Sequence, residues 1–139
     1  MDAVIVDTGT PLGAVANLQA NDNVFYLLKG TTTVPRQTQW RAQFTNVPAT
    51  LTNLRFSLRD KVSPACTRTV EILNVTTGTW VVLDQRSLGT AETNLTLFPP
   101  GPASQYVAAG GVMSVRLKTV TSGTQQRHRT DVLLAQYDS

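Results

Sequence analysis

Strand-like runs alternate with short turns along this chain, most clearly between residues 67 and 83, and that rhythm leaves few folds open to it. Arg68-Thr69-Val70-Glu71-Ile72-Leu73-Asn74-Val75 is followed by Thr76-Thr77-Gly78 and then by Thr79-Trp80-Val81-Val82-Leu83. Two runs rich in β-branched and aromatic residues around a short polar turn predict a β-hairpin, with glycine where the turn needs a positive φ. The same grammar recurs along the chain. Trp40, Ala42 and Phe44 fall on one side of a period-2 pattern, with Arg41 and Gln43 on the other. Leu54, Phe56 and Leu58 alternate with Arg55, Ser57 and Arg59, and Met113, Val115 and Leu117 with Ser114, Arg116 and Lys118. Val24 to Leu28, Thr93 to Phe98 and Thr130 to Tyr137 add further strands, while Tyr106-Val107-Ala108 fits a short edge strand or a single helical turn. Gly9 to Gly13 and Pro99 to Pro102 read as turn and loop. No helical period emerges. The pattern predicts an all-β chain, an antiparallel β-sandwich or jelly roll of about eight or nine strands. One domain over 1–139 is expected, with residues 1–8 an N-terminal arm or a first strand.

A length of 139 residues is enough for a real core. Charged residues make up 15%, well below the usual quarter, and Thr is abundant. That balance suits half-exposed pleated surfaces of extracellular and virion β proteins. The net charge is +3 and its Lys and Arg are spread along the chain. Nucleic-acid readers concentrate their charge, so no nucleic-acid partner is expected. The densest basic cluster, Arg127-His128-Arg129, reads as a solvated turn before the last strand. No run of about 20 apolar residues is present to cross a membrane as a helix. Cys66 is the single cysteine, which excludes an intrachain disulfide, and with one histidine the usual zinc sites are excluded too. Cys66 is expected to be an inert buried thiol near a strand start. Met1 to Asp7 has no signal-peptide pattern, so the chain is expected to be made in a cytoplasm unless it was cut from a larger secreted protein.

No catalytic constellation stands out. His128 sits in a basic, polar segment and is expected at the surface, without the positioned partners a Ser/His/Asp site needs. The nine acidic residues are scattered and select no glycosidase-like pair. The chain is therefore expected to be no enzyme and to need no cofactor. A structural Ca²⁺ has Asp22 and Asp131 as its candidate ligands; the competing reading makes Asp22 a turn residue and Asp131 a backbone-bonded strand start. Sugars stack on half-exposed aromatic rings, which makes Trp80 the first candidate platform, with Tyr26 and Tyr106 behind it. Trp40 is in phase with Phe44 and is assigned to the core.

Five stretches carry a family resemblance: Leu18 to Tyr26, Phe44 to Leu54, Cys66 to Val70, Thr79 to Thr90 and Met113 to Leu117. In order and over most of the chain they resemble the β-sandwich accessory modules of secreted bacterial proteins, of the galactose-binding-like jelly-roll type. The resemblance implies carbohydrate or cell-surface binding in an extracellular setting. It also implies a second cysteine near the position of Lys118, able to pair with the equivalent of Cys66, and this chain lacks it. Absence of that cysteine, of a signal peptide and of an attached enzyme favours a structural protein displayed on a virion, as a capsid decoration or tail-associated protein. Such a protein would be a homo-oligomer, a trimer being one form, with a capsid or other virion protein as partner. Ala3, Val4, Ile5 and Val6 would then form an arm that adds a strand to a neighbouring subunit, the competing reading being an ordinary first strand. The alternative function is a glycan-binding module of a secreted bacterial protein.

Overall fold

The computed structural model describes residues 3–19 and 25–138. Ten strands follow in chain order: β1 (Ala3–Thr8), β2 (Thr10–Leu12), β3 (Tyr26–Lys29), β4 (Arg36–Phe44), β5 (Thr52–Ser63), β6 (Cys66–Asn74), β7 (Thr79–Leu88), β8 (Thr93–Leu97), β9 (Met113–Thr121) and β10 (Arg127–Asp138). They form two five-stranded antiparallel sheets. The first has the order β1-β4-β9-β6-β7 and the second β2-β3-β10-β5-β8. Packed face to face they make the expected sandwich. The extra strand beyond the expected count is β2, where Pro11 is tolerated because β2 is an edge strand. Gly9, at φ +111°, lets the chain pass from β1 to β2 and so between sheets. A Cβ there would sit 2.5 Å from the Lys29 carbonyl oxygen.

The hairpin anticipated from residues 67–83 is β6–β7. Its turn is held by Asn74, whose Oδ1 accepts from the Thr76 and Thr77 amides at 3.0 and 3.2 Å, and by Gly78 at φ +71°. Ala3 to Val6 do not form a free arm. They pair with β4 of the same chain, Ala3 opposite Gln43 and Val6 opposite Trp40. Val4 and Val6 pack against the core, and that burial holds the strand at home. Of Tyr106-Val107-Ala108, Tyr106 ends a short 3-10 turn over Ala103–Tyr106, while Val107 is extended and Ala108 forms an isolated bridge with Val112, so each reading holds for part of the segment.

The alternating positions of both sheets meet in one interior. Trp40, Phe56, Ile72, Met113, Val115, Leu117 and Leu133 are fully buried. Tyr26 tilts against Trp40 and Phe44 against Phe56, both with ring centroids 5.6 Å apart. Each such side chain contributes about 1.5–3 kcal/mol by leaving water.

Further along the same strands the inward positions turn polar. Thr38, Asp60, Arg68, Thr119, Gln126, His128 and Thr130 are all buried. His128 is a correction to the expected surface histidine. β10 already begins at Arg127, so its neighbours Arg127 and Arg129 point outward and His128 points in. Its Nε2 donates to Asp60 Oδ2 at 2.7 Å. Arg68 Nη1 lies 3.2 Å from the same oxygen, and Arg68 Nη2 lies 3.2 Å from Asp84 Oδ2. Burial pushes the Arg68 guanidinium below its ordinary pKa, against the pull of Asp60 and Asp84. Beside this group the Thr38 and Thr119 hydroxyls hydrogen-bond each other, and Gln126 Nε2 donates to Thr119 Oγ1 at 3.2 Å. Cys66 is buried here, as expected, with Val62 and Leu88.

Candidate functional site on the outer face of the first sheet

The outward positions of the first sheet follow from its register. Arg41, Arg116, Glu71 and Val82 lie in one row across β4, β9, β6 and β7; Gln39, Lys118, Thr69 and Gln85 form the next, and Gln37, Val120, Thr67 and Ser87 the one after. Polar planar side chains therefore tile this face, because period-2 alternation sends every residue opposite a core position outward.

Glu71 organises the centre. It is 6% exposed. Its Oε1 accepts from Arg116 Nε at 3.1 Å and lies 3.0 Å from Lys118 Nζ. The Arg116 guanidinium also rests on the Trp80 ring, 4.2 Å from its centroid, a contact of about 0.5–1 kcal/mol at a site like this. Arg116 is thus fixed by a carboxylate on one side and an indole on the other. Next to it lies a depression of about 480 Å³ lined by Gln37, Gln39, Thr67, Thr69, Gln85, Lys118 and Val120. Gln85 Nε2 donates to Thr69 Oγ1 at 3.1 Å, and Gln39 Nε2 to Asp7 Oδ2 at 3.3 Å. The lining offers amide donors and acceptors, hydroxyls and an ammonium around an apolar valine floor.

The residues singled out from the sequence scatter. Trp80 lies on this face, half-buried and paired with Arg116. Tyr26 and Tyr106 do not: they are 4% and 1% exposed. Tyr26 packs on Trp40, and the Tyr106 hydroxyl donates to the Pro100 carbonyl oxygen. Burial raises both phenol pKa values, and neither ring has a face open to a sugar. Asp131 is fully buried within β10, with Arg59 Nη1 3.4 Å from its Oδ2. Asp22 lies outside the described residues. Among the described residues no group of three or more His, Cys, Asp or Glu is placed to hold a metal ion. The Arg116–Glu71–Lys118 cluster and the glutamine rows escape a reading of the sequence as a site. The signals that could have found them are the alternations through Arg41 and Gln43 in β4 and through Arg116 and Lys118 in β9, which send those sides outward.

No protein-family model matches the chain. No curated protein matches it either. Solved structures do share its architecture. The module TmCBM61, solved in complex with β-1,4-galactotriose, is 8% identical with a TM-score of 0.63, over 98% of this chain and 88% of that one. A structure described as a study of CBM4 structure and function is 12% identical with a TM-score of 0.53, over 84% and 72% of the two chains. The enzymatically active domain of tailspike protein 4 from bacteriophage CBA120 is 14% identical with a TM-score of 0.56; the likeness spans 99% of this chain but 20% of that one. At such identities the likeness is one of fold, and the fold is the β-sandwich seen in carbohydrate-binding modules.

Proposed function

We propose that this chain is a non-catalytic carbohydrate-binding module and that it holds a glycan on the outer face of its first sheet. The observation that carries the reading is the pre-set polar surface beside Trp80. Arg116 and Lys118 are locked by Glu71, and the adjoining depression is walled by glutamine amides and threonine hydroxyls. Vicinal sugar hydroxyls need donors and acceptors at fixed positions, and side chains already ordered lose little entropy on binding. Val120, 46% exposed, gives the apolar floor on which a sugar's C–H face can rest. The sandwich fold shared with glycan-binding modules supports the same reading, and an extracellular setting goes with it.

The test is a titration of the protein with neutral soluble polysaccharides, β-linked galactans and glucans first, read by affinity electrophoresis and calorimetry. Binding is expected to weaken roughly tenfold in Gln85→Ala and in Lys118→Ala, each of which removes a hydrogen-bonding group from the depression. Binding that survives both substitutions, together with Trp80→Ala, would overturn the assignment of this face.

A second reading keeps the virion setting, with this chain as a sandwich module within a phage tail protein. The tailspike likeness favours it. Light scattering checks the assembly it expects: a stable trimer supports it and a monomer counts against it.

A further inference from the structure

The charges of this chain are sorted between its two outer faces in a way the net charge hides. On the outer face of the first sheet the cations are matched: Arg41 pairs with Asp7, and Arg116 and Lys118 with Glu71. Elsewhere on that sheet Arg86 pairs with Asp84, and Arg36 donates to the Gly123 carbonyl oxygen. The second sheet is different. Its outward positions carry Lys29, Arg55, Arg59, Lys61, Arg127 and Arg129. Glu92 takes Arg59 and Lys61, and buried Asp131 takes Arg59. Among the described residues Lys29, Arg127 and Arg129 make no ion pair.

Two of these placements set like charges against each other. Arg127 stands directly opposite Lys29 across the β3–β10 pair, and Arg129 directly opposite Lys61 across the β10–β5 pair. Like charges in directly opposed positions repel and destabilise a sheet. Here two such pairs sit side by side at one end of the face, where β10 begins and β3 and β5 end. An anionic chain laid across β3, β10 and β5 would relieve both.

We infer that the outer face of the second sheet is a binding surface for a polyanionic polysaccharide, one bearing repeated carboxylate or sulfate groups. It is separate from the neutral-glycan face and does not depend on it. Charge complementarity sets the class of partner: several anions along one polymer can face both pairs at once. Shape argues for a polysaccharide over duplex DNA. The five-stranded face is about 19 Å wide at roughly 4.8 Å per strand spacing, broader than the major groove of about 12 Å that a sheet would have to enter. Among the described residues no row of exposed rings runs along β3, β10 and β5 for bases to stack on: the Phe25 ring lies under Lys61 Nζ at 4.6 Å, and Phe98, 69% exposed, stands apart just past the end of edge strand β8. A groove of about 340 Å³ bordered by Arg59, Ser57, Asn94, Thr96, Val132 and Leu134 continues the face toward β8.

The experiment uses the intact protein with heparin as the sulfated probe and polygalacturonate as the carboxylated one, at about 0.1 M salt, where exposed charges act over about 10 Å. Wild type should bind at least one polymer and be released by added salt. The triple variant Lys29→Gln, Arg127→Gln, Arg129→Gln should bind roughly tenfold or more weakly, as expected when several salt-dependent contacts go. Arg129→Gln alone should weaken binding more than Arg86→Gln, which removes one charge from the other sheet. A denaturation midpoint for each variant confirms that it is folded. The inference falls if wild type passes through both polymers, if Arg86→Gln weakens binding as much as Arg129→Gln, or if duplex DNA displaces the polysaccharide at equal phosphate and sulfate charge. Failure here leaves the neutral-glycan reading standing, because that titration uses uncharged polymers and substitutions on the first sheet.

Discussion

At one end of the sandwich the inward positions hold Trp40, Phe56, Ile72 and Leu117; at the other, the same strands put Thr38, Asp60, Arg68 and Thr119 in the equivalent places, with His128 facing them from β10. The apolar end gains from every methylene removed from water, and its contacts are many and interchangeable. The polar end rests on a few specific partners. Asp60 is neutralised by Arg68 and hydrogen-bonded by His128, and each would be a buried uncompensated group if the others went. Such a cluster is weak evidence for stability, because desolvation offsets most of the attraction. Its effect is on register: β5 and β10 can pair in one alignment only if Asp60 is to meet His128. One alternation pattern can thus build two interiors, one tolerant of substitution and one unforgiving.

The largest effect is expected from Arg68→Ala, which leaves Asp60 buried without its cation. A loss of about 3–5 kcal/mol is expected in urea denaturation. The companion variant Arg68→Met, Asp60→Leu, His128→Leu should recover most of that loss, since it removes the fully buried charges together and leaves Asp84 paired with Arg86. If the triple variant is as unstable as the single one, the polar end is not a set of mutual dependencies and the contrast between the two ends collapses. At the apolar end, Ile72→Val should cost about 0.5–1.5 kcal/mol by the same measurement, with nothing to rescue, because a lost methyl leaves only a small void.

The smallest effect concerns Cys66. Burial raises its thiol pKa, while the Thr119 hydroxyl pulls the other way. A folded-state pKa above the unfolded one means stability is full below the unfolded thiol value, about 8.5, and is lost as pH rises from there through the folded value. Denaturation midpoints measured from pH 7 to pH 10 should therefore start to fall near the unfolded value. Cys66→Val should flatten the first part of that fall. The buried phenols of Tyr26 and Tyr106, raised by the same cause, would set the later part.

Much of the fold was legible because burial and alternation agree wherever the inward residue is apolar. Trp40, Ala42 and Phe44 in β4, Leu54, Phe56 and Leu58 in β5, and Met113, Val115 and Leu117 in β9 all face inward as their spacing requires. The pattern failed where the inward residue is polar. Arg127-His128-Arg129 has the same out-in-out alternation, but three basic residues mimic a solvated turn. The partner that makes His128 buriable is Asp60, far away in sequence. Tyr26 misled for the converse reason: a polar aromatic is compatible with either surface or core, and only its packing on Trp40 decides.

Alternation is a local property of the pleated strand, so the residues alone settle that this chain is an all-β sandwich and that Arg41, Gln43, Arg116 and Lys118 face away from its core. Strand order was settled in three dimensions. It brought Arg116 and Lys118 onto Glu71, left Lys29, Arg127 and Arg129 without matching anions among the described residues, and so gave the two outer faces different electrostatic characters. Charges far apart in the chain act on one another only when cross-strand pairing sets them about 5 Å apart, and no local pattern records that distance.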